Sequence, residues 1–342
     1  MIARSRAPLR LGLAGGGTDV SPYCDVYGGR VMNVTIDRYA HAILSPRQGG
    51  ESCFHALDVE QQEVHSCSHR IDVDGPLRLL KGVYARVSRD FLNDERPPLT
   101  IKTFSDAPPG SGLGSSSTMV VALLQAFVEY FSLPLGEYEV AQLAYDIERK
   151  DLKLAGGKQD QYAATFGGFN FMEFYADDRV IVNPLRIKNW VWAELETSLV
   201  LYFTGVSRDS ADIIDQQSRN VGDKNQASID AMHQLKHEAI EMKECVLKGD
   251  LRRLETTLQA GWMAKKKTAT TVSNPLIETL ERLAFAHGAR AAKVSGAGGG
   301  GFMMFLCDPE RRIELTRILL QQGGSIMNFH FTPQGATSWR IM

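Results

Sequence analysis

The stretch Pro108-Pro109-Gly110-Ser111-Gly112-Leu113-Gly114-Ser115-Ser116-Ser117 decides how the rest of the chain is read. Before it, residues 99–104 alternate apolar and polar side chains as a strand does. After it, residues 119–131 form an apolar run that reads as a buried helix. A tight turn with a serine cap would need one glycine and one serine, not three glycines and four serines. Glycines let the backbone take φ > 0 and come close to a ligand. A helix starting at the serines offers amides that lack an intrahelical partner, and its dipole favours an anion there. The dipole contributes only about 0.3–1 kcal/mol when exposed. Each amide bond to a charged oxygen is worth about 1.5–3 kcal/mol, so convergent amides dominate. The segment is therefore expected to cradle phosphate.

Working outward, two further glycine loops qualify this reading. Pro8-Leu9-Arg10-Leu11-Gly12-Leu13-Ala14-Gly15-Gly16-Gly17-Thr18-Asp19 places a rigid guanidinium fork at Arg10 and a carboxylate at Asp19 that can accept sugar hydroxyls. Residues 296–301 read literally as G-x-G-x-x-G, but a dinucleotide fingerprint needs a helix after the glycines. Here an apolar strand-like run, residues 302–306, follows. Such a loop is better suited to packing its backbone against a substrate or against the phosphate loop. The P-loop pattern G-x-x-x-x-G-K-[ST] and the protein-kinase signatures H-R-D, D-F-G and V-A-I-K do not occur.

The remaining pattern gives strands over residues 9–14, 31–36, 40–44, 169–174, 180–182, 198–203, 291–295 and 302–306, then two closing strands. Helices are expected over 77–91, 135–149, 210–219, 226–247, 251–266, 275–287 and 310–322. Strands and helices mix without a regular βαβ rhythm, which predicts an α+β fold in two halves, 1–187 and 188–342. The chain has 342 residues, 44% hydrophobic and 23% charged, with formal net charge −2. That balance argues against nucleic acid or an anionic membrane as a partner. No run approaches 18 consecutive apolar residues, and the N-terminus carries no apolar block of a signal peptide. Five cysteines with no C-x-x-C pair read as reduced thiols, so a cytoplasmic location is expected.

Together the three loops resemble the GHMP kinase superfamily, with PPGSGLGSSS as its phosphate motif. The resemblance covers almost the whole chain. It implies an N-terminal domain like ribosomal protein S5 domain 2, a ferredoxin-like C-terminal domain, and an active site between them that uses ATP and Mg²⁺. ATP contacts are then expected from Pro109, Gly110, Ser111, Gly112, Leu113, Gly114, Ser115, Ser116 and Ser117. In Gly156-Gly157-Lys158-Gln159-Asp160-Gln161, Asp160 matches the family's candidate base, although its local sequence also suits a helix cap. Arg10 matches the basic residue of the first motif. Ser116 and Glu148 match the metal-binding hydroxyl and carboxylate. Substrate contacts are expected at Gly16, Gly17, Thr18, Asp19, Lys158, Arg208, Gly298 and Gly299.

Within the superfamily the strings APLRLGLAGGGTDVSPY, GGKQDQYAATFGGFNF, LYFTGVSR and KVSGAGGGGFMMF are most similar to the D-glycero-D-manno-heptose 7-phosphate kinases. That resemblance implies phosphorylation of the anomeric C1 hydroxyl of a sugar phosphate, for nucleotide-activated heptose and surface polysaccharide synthesis. Ser295 departs from it, standing where a Leu-Gly pair is expected. Free-sugar kinases for fucose or galactose, and a catalytically inactive sugar sensor, are the alternatives, and a homodimer is left open. A phosphorylated acceptor would need a second phosphate site, with Arg208 and Lys265-Lys266-Lys267 as candidates. The spacing of His233 and His237, and of His65, Cys67 and His69, suits solvated faces better than zinc.

Overall fold

The computed structural model describes residues 1–206 and 210–342. The chain opens with β1 (Ile2–Ala14), α1 (Tyr23–Tyr27) and the long β2 (Gly29–Pro46), followed by the hairpin β3 (Glu51–Ala56) and β4 (Gln61–Ser66). Next come α2 (Arg78–Phe91), β5 (Leu99–Ser105), α3 (Ser115–Phe131), α4 (Glu137–Asp146), α5 (Gln159–Phe166), β6 (Phe169–Phe174) and β7 (Val180–Pro184). The second half runs α6 (Asn189–Ser198), β8 (Leu199–Phe203), α7 (Ser210–Gly222), α8 (Gln226–Lys248), α9 (Leu251–Lys266) and α10 (Pro275–Ala286). It closes with β9 (Ala289–Val294), β10 (Phe302–Cys307), α11 (Arg312–Leu320), β11 (Ser325–Ile326) and β12 (Thr337–Ile341).

Eight strands form the first sheet, in order β12-β1-β2-β5-β3-β4, with β6 and β7 attached to the leading end of β2. The two strands read from residues 31–36 and 40–44 are one: β2 pairs with β6 through Gly29–Val34 and with β5 through Ala40–Pro46. α3 is apolar nearly all round, as the sequence shows. It is buried between this sheet and the other helices in a cluster that includes Val120, Leu123, Leu124, Phe127, Ile101 and Val83. The second sheet, β11-β8-β10-β9, is antiparallel and carries the helices of the second half. α6, β3 and β4 were not expected from the pattern. β4 is largely polar, and β3 is short and buries Ser52, Cys53 and Phe54 in succession, so neither shows a clear apolar alternation.

The halves are not independent. One apolar cluster joins Leu9, Leu11, Leu13 and Val34 of the first sheet to Leu199, Leu201, Met242, Phe302 and Met304 of the second half. β12 also returns to pair with β1, register Ile2 opposite Ile341, so the second stretch of sequence supplies a strand of the first sheet. All five cysteines are free thiols. Among the described residues, no helix is long and apolar enough to cross a membrane.

Candidate active site

The phosphate-loop stretch runs from the end of β5 into α3. Gly110, Gly112 and Gly114 all take left-handed φ (69°, 80° and 75°), a conformation that any other residue would hold at a cost. The first intrahelical bond of α3 is from the Thr118 amide to the Gly114 carbonyl at 2.9 Å. The amides of Ser115, Ser116 and Ser117 therefore stand at the helix entrance without an intrahelical acceptor. They border a cleft of about 850 Å³ lined by residues of both halves.

Two other loops press on this one. The Leu113 carbonyl accepts from the Arg10 amide at 3.2 Å, where the β1–β2 ladder slips between Pro8 and Arg10. The Gly112 carbonyl accepts from Arg10 Nη1 at 2.7 Å and from Ser295 Oγ at 3.0 Å. The Phe302 amide bonds the Ser111 carbonyl at 2.9 Å. A Cβ on Gly112 would lie 2.5 Å from the Ser295 carbonyl oxygen, and one on Gly296 would lie 2.8 Å from that of Gly112. The C-terminal glycines are thus there for backbone-to-backbone packing against the phosphate loop. Ser295, the residue that departs from the family wording, bonds that loop.

Asp160 sits in the first turn of α5, and its Oδ1 takes a 2.7 Å ion-paired hydrogen bond from Arg10 Nε. The carboxyl carbon lies 3.0 Å from where a Gly114 Cβ would be, so the acid rests against the phosphate loop. The start of α5 is held by Asp19. Its Oδ2 accepts the Lys158 and Gln159 amides at 2.9 and 3.0 Å, and its Oδ1 accepts the Gly17 amide at 3.1 Å. Asp19 borders the cleft, yet its oxygens are turned to three backbone amides, and it acts as a remote cap for the helix carrying Asp160. Gly157 permits this closure, since a Cβ there would collide with the Asp19 carboxylate.

Behind α3, the helix that begins at α4 widens into a π-helical turn over Ile147–Asp151. This turn delivers two consecutive residues, Glu148 and Arg149, to the same cleft. Glu148 is 1% exposed. Its Oε2 accepts from Gln161 Nε2 at 2.5 Å, and the same nitrogen lies 3.1 Å from Ser117 Oγ. A buried carboxylate beside a hydroxyl at the mouth of a phosphate loop is a donor set of hard oxygens, which fits Mg²⁺. The hydroxyl in this network belongs to Ser117, whereas Ser116 is exposed at the lip of the cleft. Among the described residues, no group of three or more His, Cys, Asp or Glu is placed to hold a metal.

Two lysines of the second half reach back to the first loop. Lys265 Nζ donates to the Gly16 carbonyl at 2.8 Å and borders the cleft; burial pulls its pKa down to about 8, with Asp19 opposing and Arg10 adding. Lys293 Nζ donates to the Gly12 and Leu13 carbonyls at 2.5 and 3.2 Å; burial, then the nearby Lys265 and Arg10 charges, pull it down to about 7.

The other residues expected to contact ligands are placed as follows. Lys158 is buried on the far side of α5, with Nζ 2.9 Å from Asp178, because its helix turns it away from the cleft. Thr18 spends its hydroxyl on the Gly15 and Arg30 carbonyls, and Leu113 joins the core shared by the halves. Ser111 is fully buried, and Gly16 meets the cleft edge only through its bond to Lys265. Gly298 and Gly299 pack on the Val272 segment, where the Gly299 amide bonds the Val272 carbonyl at 2.7 Å. Lys266 pairs with Glu278 and Glu281, and Lys267 does not border the cleft. Arg208 lies outside the described residues. His233 bonds the Tyr23 hydroxyl at 2.7 Å, and His237 faces Glu241. Gln161 and Arg149 escaped the sequence reading. Gln161 follows Asp160 and could have been flagged, but the π-helical turn that aims Arg149 leaves no mark in periodicity.

A sheet-backed glycine loop at the entrance of a buried helix, with an Arg–Asp pair resting against it in a cleft between two α+β halves, defines a phosphotransferase of the small-molecule kinase type. The chain belongs to the GHMP kinases: the family's N terminal domain matches residues 78–168 and its C terminal domain residues 242–325. It is 48% identical, over 99% of both chains, to D-glycero-alpha-D-manno-heptose 7-phosphate kinase of Campylobacter jejuni. A solved D-glycero-D-manno-heptose 1-phosphate kinase from Bacteroides thetaiotaomicron superposes with a TM-score of 0.84, at 47% identity and 99% coverage of each chain. Galactokinase from Lactococcus lactis shares the fold, with a TM-score of 0.76 at 16% identity over 98% of this chain and 95% of its own.

Proposed function

We propose that this protein transfers the γ-phosphoryl group of ATP to the anomeric C1 hydroxyl of D-glycero-D-manno-heptose 7-phosphate. The products are ADP and heptose 1,7-bisphosphate, a precursor of nucleotide-activated heptose. The observation that carries the reading is Asp160, gripped by Arg10 and resting against Gly114 at the entrance of the phosphate loop. In that position the carboxylate takes the hydroxyl proton as the acceptor oxygen bonds to the γ-phosphorus and the bond to the ADP oxygen breaks. The amides of residues 115–117 receive the phosphate oxygens. Arg10 fixes the orientation of the base and bridges it to the Gly112 carbonyl. Glu148, with Ser117 or Ser116, would hold Mg²⁺, which when bound neutralises charge on the β- and γ-phosphates. The two halves of the sequence, 1–187 and 188–342, then both line the cleft, the first supplying the phosphate loop, in a cytoplasmic enzyme with access to ATP.

Asp160→Asn is expected to retain ATP binding and lose roughly 10²–10⁴-fold in kcat. Coupled ADP-release assays on heptose 7-phosphate, with nucleotide titrations in parallel, measure both. Near-native kcat would remove Asp160 from the chemistry. The two heptose-kinase relatives carry names that differ in the phosphate position, so heptose 1-phosphate belongs in the same substrate panel. Turnover of unphosphorylated sugars alone would replace the heptose 7-phosphate assignment with a free-sugar kinase.

A further inference from the structure

One corner of the cleft has a chemistry that the reaction above leaves unused. Arg149, Lys153 and Arg78 all border it, next to the entrance of α3. The Arg149 side chain is only 12% exposed, yet none of its contacts is close. Its guanidinium nitrogens lie 3.4 Å from the Gly157 carbonyl, 3.4 Å from that of Leu154, 3.5 Å from Ser117 Oγ and 3.7 Å from Glu148 Oε1. Charge-assisted bonds from a satisfied arginine are about 2.7–2.9 Å long. Lys153, four residues on, makes no hydrogen bond or ion pair among the described residues, and Arg78 closes the corner by donating to the Leu152 carbonyl at 2.6 Å.

The cleft carboxylates offset this charge only in part, since Glu148 Oε1 is a loose partner of Arg149 at 3.7 Å. Asp19 is committed to amides, Asp160 to Arg10 and Glu148 to Gln161, while Asp215 comes from α7 in the other half. Arg149 contacts the carbonyl of Gly157, three residues before Asp160, and both side chains border the same cleft.

We propose that Arg149, Lys153 and Arg78 form a phosphate subsite, adjoining the amide loop at Ser117, that takes the dianionic monoester carried by the acceptor. The inference rests on the kinase reading above and gives the acceptor's phosphate a place there. A phosphate could also come from the nucleotide, so the test separates the two sources.

Steady-state KM and kcat of Arg149→Gln and Lys153→Gln are measured against ATP, heptose 7-phosphate and unphosphorylated heptose. The expected result is a KM for heptose 7-phosphate raised about 10-fold in Arg149→Gln and about 3-fold in Lys153→Gln. The KM values for ATP and for the unphosphorylated sugar stay within about twofold of wild type. A rise confined to ATP, or equal rises for the phosphorylated and unphosphorylated sugars, overturns the assignment. Lys153 is exposed, so its variant decides the matter even where Arg149→Gln fails to fold. Should the wild type not turn over heptose 7-phosphate at all, the substrate reading fails by itself. Calorimetric titration of inorganic phosphate into wild type and Lys153→Gln then tests the subsite, and equal affinities in the two overturn it.

Discussion

Lys293 shows how much one side chain is asked to do in this protein. Its ammonium is buried against the carbonyls of Gly12 and Leu13, and burial lowers its pKa from 10.5 to about 7. A lysine that binds its proton more weakly when folded leaves the unfolded chain holding more protons across that interval. Its contribution therefore destabilises at low pH and is relieved as pH rises from about 7 toward 10.5. Lys265 adds the same trend from about 8 upward. Urea denaturation of wild type and Lys293→Met at several pH values between about 7 and 9.5 checks this. The stability of wild type relative to the variant is expected to rise with pH, and parallel curves would show that Lys293 does not titrate in this window. The sequence offered no hint of this behaviour, since a lysine between alanine and valine in a strand reads as an edge residue until the two halves are seen to close over it.

At the scale of the element, α5 is a short helix with a demanding task. Its eight residues, Gln159–Phe166, carry Asp160, the proposed base, in their first turn, and the opening amides are capped by Asp19 from a loop about 140 residues earlier. Asp19→Ala is expected to cost about 0.5–2 kcal/mol of stability through the lost cap. It should also lower kcat more than it raises the KM for ATP, because the helix end that moves carries Asp160 and not the phosphate loop. Thermal melts and steady-state kinetics report the two effects, and a change in ATP KM alone would contradict the capping role. The phosphate loop was legible because its glycines and serines are local. Their φ values and the helix entrance follow from ten consecutive residues. The capping role of Asp19 was not legible, since a carboxylate in a glycine loop looks free until its amide donors arrive from a distant segment. The π-helical turn at Ile147–Asp151 was illegible because a single widened turn leaves the apolar pattern that packs it on α2 helix-like.

The whole molecule closes through contacts that no single half contains. Leu9, Leu11 and Leu13 of β1 pack with Leu201, Met242 and Met304, and β12 completes the edge beside β1. A fragment of residues 1–187 is therefore expected to lack native packing, showing weak near-ultraviolet circular dichroism and no cooperative melt, where the full chain melts in one transition. A cooperatively folding fragment would show that the shared core is dispensable. The sequence alone determined the class of fold and the glycine-serine turn into α3, and it supplied the Arg10–Asp160 candidates, because each rests on short-range periodicity or on residue types whose chemistry needs little context. Only the tertiary structure decided that the C-terminal glycines face the phosphate loop, that Lys158 points away from the cleft, and that Arg149 and Lys265 border it. Those outcomes depend on which segments meet across more than a hundred residues, and side-chain direction is set there by burial and by the pairing of backbone donors, which local sequence does not encode.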